Sequence, residues 1–151
     1  MGTTTGTWPV LNARSFGPGG DNGKQFISKI QKDLSAFVYS TVFGTATNVP
    51  NISPVAFLVD RCENVYVSGW GGGINNRKLF PSAGTSGLPE VSTISGIPPA
   101  DGADFYLFVM EKNGQNQLFV SHLGQFVGLG DHVDVRTSRF GDTCVMSQAS
   151  W

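Results

Sequence analysis

Between Phe26 and Trp70 the chain reads FISKIQKDLSAFVYSTVFGTATNVPNISPVAFLVDRCENVYVSGW. Short runs of Phe, Val, Tyr, Ile and Thr alternate with polar turn residues, which is the pattern of strands and hairpins. Four strands are expected here. Ile27 to Gln31 and Phe37 to Phe43 are joined by Lys32-Asp33-Leu34-Ser35; Val55 to Val59 and Asn64 to Ser68 are joined by Asp60-Arg61-Cys62-Glu63. Nothing in the stretch places apolar residues at helical spacing.

Two of these runs carry a second signal. Phe37-Val38-Tyr39 and Ala56-Phe57-Leu58-Val59 are nearly continuous rather than alternating. A sheet with one wet face alternates, and a sheet covered on both faces does not. The stretch is therefore expected to be one four-stranded antiparallel meander with protein on both sides. That is the situation of a β-propeller blade or of one layer in a stacked β array.

A second strand block follows at Phe105 to Glu111 and Gln117 to Leu123, separated by Lys112-Asn113-Gly114-Gln115. Asn-Gly between apolar runs is a strong hairpin signal, expected to place both central residues at positive φ. Val133 to Phe140 and Cys144 to Ser147 are the last candidate strands. Sliding the chain by ~80 positions superposes the two blocks without a gap from residue 26 to residue 44. Phe26 falls on Tyr106, Ile27 on Leu107, Ile30 on Met110, Lys32 on Lys112, Tyr39 on Phe119 and Gly44 on Gly124. The likeness is one of pattern rather than of letters, and past Gly124 the register drifts.

Between the blocks, residues 71–103 crowd Gly, Ser, Pro, Asn and Thr together, with one short strand expected near Val91 to Ile94. Loops this long in a compact domain are uncommon and often functional. Four regions result: a loop-rich lead-in (1–25), a first blade (26–70), the insert (71–103) and a second, partly divergent or truncated blade (104–151).

Composition narrows the function classes. Charged residues make up 14% and Gly 20 of 151 positions, a mix common in secreted all-β proteins rich in tight turns. The net charge is −1 and no basic stripe is present, so no nucleic-acid partner is expected. No apolar run approaches the ~18 residues of a membrane span. Met1 to Thr5 has neither a basic segment nor an apolar core, so no export signal is read within this chain.

Candidate chemistry is sparse. Cys62 and Cys144 are compatible with one disulfide or with two free thiols, and no Cys-x-x-Cys pair suggests a metal or redox motif. Gly17-Pro18-Gly19-Gly20-Asp21-Asn22-Gly23 is a loop; it lacks the nonapeptide pattern of repeat-type calcium sites, and a plain turn is expected. Asp131, His132 and Asp134 lie close together, but in an extended segment His132 and Asp134 share a face while Asp131 points away. Asp101 and Asp104 are a carboxylate pair of the kind that serves glycoside hydrolysis; the plainer reading ends a loop and starts a strand. Trp70, in Gly69-Trp70-Gly71-Gly72-Gly73, offers a ring for sugar stacking, or else packs at a sheet end. No catalytic, cofactor-binding or metal-binding residue is assigned.

The segments FVYSTVFGT, AFLVDRCENVYVSGWGG, DFYLFVMEKNGQNQLFVSHLG and GDHVDVRTSRF together resemble the SBBP-type β-propeller repeat. The likeness is to its form in large secreted surface proteins of gliding bacteria. Tyr39-Ser40-Thr41, Gly44, Val59-Asp60, Asn64-Val65-Tyr66-Val67 and Gly69 carry the match, which spans roughly residues 24 to 140. The second block departs from it, with Val120-Ser121-His122 in place of Tyr-Ser-Thr.

The resemblance implies an all-β fold of about two four-stranded antiparallel propeller-type blades with a long loop insert. It implies an internal piece of a parent protein, with neighbouring blades of that parent as partners. The function it implies is non-enzymatic: a structural or binding module, extracellular or on the cell surface, in adhesion or gliding motility, with a glycan or surface protein as ligand. The alternative is a fragment of a carbohydrate-active enzyme on a propeller scaffold, with Asp101 and Asp104 as acid and base. Two blades do not close a ring, since propellers need ~4 to 8.

Overall fold

The computed structural model describes residues 1–71, 84–91 and 105–122, and, as backbone strands, 132–137 and 143–148. In chain order the strands are β1 (Gly2–Thr3), β2 (Gln25–Ile30), β3 (Phe37–Phe43), β4 (Ile52–Val59), β5 (Val65–Gly71), β6 (Phe105–Met110), β7 (Gln117–His122), β8 (His132–Thr137) and β9 (Thr143–Gln148). A single 3-10 turn, Gly20–Asn22, is the only helical element among the described residues. The protein is all-β, and no helix among the described residues is long and apolar enough to cross a membrane.

The strands form a three-stranded sheet in the order β1-β2-β3, a four-stranded sheet β4-β5-β6-β7 and a two-stranded pair β8-β9, all antiparallel. This divides the meander expected over residues 26–70. The β2–β3 hairpin lies in one sheet and the β4–β5 hairpin in the next, where β5 pairs with β6, from Val65↔Met110 to Trp70↔Phe105. The physical reason lies in the corner after Phe43. The Gln25 amide nitrogen donates to the Phe43 carbonyl (2.6 Å), while its oxygen accepts from the Ile52 N–H (3.3 Å) and the Asn51 N–H. Asn51 donates to the Gly84 carbonyl (2.9 Å) and accepts from the Thr45 N–H (2.9 Å). All of these groups are buried or nearly so, and buried polar groups must be paired. The bonds hold β4 off β3 and fix the turn between sheets.

Two cores result. Ile27, Tyr39 and Phe43 from the first sheet meet Val65, Val67, Tyr106, Phe108, Met110 and Val120 from the second. Phe43 stacks on Phe108 with ring centroids 4.4 Å apart, and Phe16 meets Phe108 edge-on at 5.5 Å. On the opposite face of the second sheet, Phe105, Leu107 and Val109 pack with Tyr66, Trp70 and Phe119. All six residues of β6 are buried, as a strand covered on both faces should be.

β4 behaves differently from its sequence expectation. Val55 is 56% exposed, Phe57 46% and Val59 47%. The run is apolar enough for a strand covered on both faces, but among the described residues β4 is the edge strand of its sheet.

The hairpin at Asn113-Gly114 forms, with a different turn from the one expected. Only Gly114 has positive φ (+68°); Asn113 instead accepts the Gln115 N–H on its side chain (3.1 Å). The four-residue connection suits a turn with one left-handed residue.

The lead-in is not loose. Trp8 stacks on Phe26 (3.7 Å, 11°), and its indole N–H donates to Ser28 (3.1 Å) and Ser40 (2.9 Å). Leu11 exchanges both backbone bonds with Ser40, and Phe16 donates to the Val42 carbonyl. Part of the insert also returns to the body. Leu88 is buried, Tyr106 donates to the Pro89 carbonyl (2.8 Å), and Val91 bridges Val120 through two backbone bonds. Val91, where a strand to Ile94 is expected, forms this bridge, and 92–94 lie outside the described residues.

Candidate functional site

A groove of about 240 Å3 opens where the two sheets part. Ile27 and Tyr39 form one wall, and Phe57, Val59 and Val65 form the other. β2 and β3 supply the first pair because Ile27 and Tyr39 lie on the face turned to the second sheet. β4 and β5 supply the second wall through Phe57 and the paired Val59↔Val65.

Charge sits only at the rim. Lys29 and Glu63 form an ion pair (2.5 Å) between the first sheet and the β4–β5 turn, with both side chains about half exposed. The hydrogen bond to Glu63 raises the Lys29 ammonium above its usual range, and the same bond lowers the Glu63 carboxyl. Lys112 stands on the same rim and lowers Glu63 further by its charge. Inside, burial pushes the Tyr39 phenol up. Exposed ion pairs add little stability, so this pair orders the rim rather than holding the fold. The groove offers an apolar floor with a polar margin. Such a site has the chemistry to shelter apolar side chains, and among its described lining residues no nucleophile is hydrogen-bonded to a general base.

The β4–β5 turn explains the spacing of its motif. Asp60 accepts the Asn64 N–H (2.8 Å), the Asn64 side-chain amide (2.9 Å) and the Tyr66 hydroxyl (3.1 Å). Burial pushes its carboxyl up, but the bonds from Asn64, Tyr66 and the Cys62 amide outweigh it and hold the group below its usual range. Gly69 lies where β4 bulges toward β5, and a Cβ there would collide with the Ser53 carbonyl. Ser40 anchors Trp8, and Thr41 donates to the Arg14 carbonyl.

No protein-family model, curated protein or solved structure matches this chain.

Among the described residues, those singled out in the sequence do not converge. Trp70 is half-buried and meets Phe105 edge-on at 5.0 Å. Asp21 is exposed on the 3-10 turn, and no cluster of three metal-ligating side chains occurs among the described residues. Cys62 is an exposed free thiol in the β4–β5 turn, and Cys144 lies in β9, paired with Arg136. His132 and Asp134 are two positions apart in β8. Asp131, Asp101 and Asp104 lie outside the described residues. The groove residues were missed because their meeting depends on how sheets stack. The one local signal was Lys29, a charge two residues after Ile27 on a core-facing row.

Proposed function

We propose that the chain is a non-enzymatic structural or binding module of a secreted or cell-surface bacterial protein, acting in adhesion or gliding. In this reading its three- and four-stranded sheets are propeller-type blades. The observation that supports it is what the motif residues do. Asp60, Asn64 and Tyr66 spend their polar groups on one turn, and Ser40 and Thr41 spend theirs on anchoring the lead-in. A motif consumed by scaffold bonds belongs to a rigid frame, and function then resides in what the frame presents. The insert is the presented element: Gly84, Thr85 and Leu88 anchor it, while Ser86 and Gly87 face solvent.

The test is binding of the purified chain to bacterial surface glycans and surface proteins, with antibody labelling of intact cells. Saturable binding without consumption of the ligand, weakened by Ser86→Arg, is expected, as is labelling from outside the cell. Turnover of a polysaccharide, lost in Asp101→Asn or Asp104→Asn, would replace this reading with the enzyme.

A further inference from the structure

The two halves of the chain repeat at the level of hydrogen bonds. β2 and β6 begin 80 residues apart, and so do β3 and β7. Each hairpin shifts register at the same place, between Lys29 and Ile30 and between Val109 and Met110. Their turns carry the same bonds: Gln31 N–H to Ala36 and Leu34 N–H to Gln31 in the first, Glu111 N–H to Asn116 and Gly114 N–H to Glu111 in the second. β4–β5 and β8–β9 are likewise two antiparallel hairpins with five-residue connections.

In the second sheet these two kinds of hairpin are joined, β5 to β6. At the ends of the chain each kind stands apart. Among the described residues, β2 from Ile27 to Ile30 has only β3 beside it, since β1 reaches only Gln25 and Phe26. β8 and β9 pair only with each other. A lone two-stranded hairpin is marginal in water. β8 approaches β4, yet Phe57 and Val59 remain about half exposed beside the free edge of β2. A strand added to that edge would cover them.

We infer that a second copy of this chain supplies that strand. β9 of one copy pairs antiparallel with Ile27 to Ile30 of β2 in the next, repeating that part of the β5–β6 junction between molecules. One chain carries both missing halves, and the groove is the seat of the contact. Val59 and Val65 correspond to Thr137 and Thr143, the residues that bound each connection. The observed Val65↔Met110 and Tyr66↔Val109 then become Thr143↔Ile30 and Cys144↔Lys29 between copies. Such contacts are head-to-tail, and give rings or filaments according to the rotation per copy.

The experiment is cross-linking of the full chain in a Cys62→Ser background. Mild oxidation of Lys29→Cys is expected to give a ladder of disulfide-linked oligomers through native Cys144, lost when Cys144→Ser is added. Lys29 is exposed, and an unchanged thermal melt confirms that each variant folds. By sedimentation velocity, Phe57→Glu in the otherwise native chain is expected to weaken self-association on the order of tenfold or more. A native chain that stays monomeric at high concentration overturns the inference. So do oligomers that persist without Cys144, and so does a link formed within one chain. The inference does not rest on the surface-module reading: the ligand and labelling assays stand or fall without the cross-link, and the cross-link without them.

Discussion

The β2–β3 and β6–β7 hairpins share a backbone and differ in nearly everything around it. They have the same spacing, the same register shift and the same turn bonds. Yet β6 is buried throughout, whereas β2 ends in exposed Lys29 and Ile30. Position 108 is a phenylalanine stacked on Phe43 and met edge-on by Phe16; its counterpart, Ser28, bonds to Ser40 and Trp8 on the outer face. The backbone pattern follows from turn chemistry and strand length. Burial follows from which neighbours stand beside the hairpin, and the first hairpin lacks the strand that β5 provides to the second.

The sharpest way to break the equivalence is at that shared position. Phe108→Ala opens a cavity in the central core and is expected to cost about 3–5 kcal/mol. Ser28→Ala removes only a part-exposed hydroxyl and is expected to cost well under half of that. Urea unfolding of both variants checks the contrast.

The turns are the next test. Position 114 is Gly at φ +68°, and its counterpart Leu34 holds φ +62° with a full side chain. Gly114→Leu is expected to destabilise by about 1–3 kcal/mol, from left-handed strain and because a Cβ would sit 2.8 Å from that of Ala13. Leu34→Gly is expected to gain about 0.5–1 kcal/mol by relieving the same strain, read from thermal melts of the two variants. If both substitutions act in the same direction, the turns are not equivalent.

Asp60 gives a pH-dependent contrast, since its carboxylate accepts three hydrogen bonds, against two from Ser35 at Asp33 in the Gln31 turn and one from Asn116 at Glu111 in the other. Its folded-state pKa is depressed, so its contribution is present above the ordinary carboxylate pKa of about 3.9. That contribution is lost as pH falls through the folded value. Asp60→Asn should therefore lower stability at neutral pH, and the gap from the native chain should narrow in acid. A gap that is flat from pH 7 down to pH 3 would show that the carboxylate charge has no part in the turn.

Much of this was legible in the sequence. The hairpins and the 80-residue offset follow from local patterns: alternation, turn residues and β-branched runs. The division into sheets was not legible, because β5 chooses β6 across residues 72–104, and strand choice over such a gap depends on sheet stacking. Phe57 and Val59 show the limit from the other side. Their run reads as covered on both faces, and only the sheet order reveals that the cover is missing. Trp8 was seen as an apolar island, but its bonds to Ser28 and Ser40 require that β2 and β3 already be paired.

The lead-in has a consequence for the order of synthesis. Arg14 donates to the Gly114 carbonyl, and the Gln115 side chain donates to the Asn12 carbonyl, 103 residues away. The lead-in is thus fastened partly to a segment made about a hundred residues later. At ~5–20 residues per second, residues 8–16 are made about 5–20 s before Gly114. Until then Trp8 and Phe16 can dock on β2 and β3 but cannot be clamped from the other side. The nascent chain spends that interval with these two aromatic residues half-secured, which is when a holding chaperone would find them.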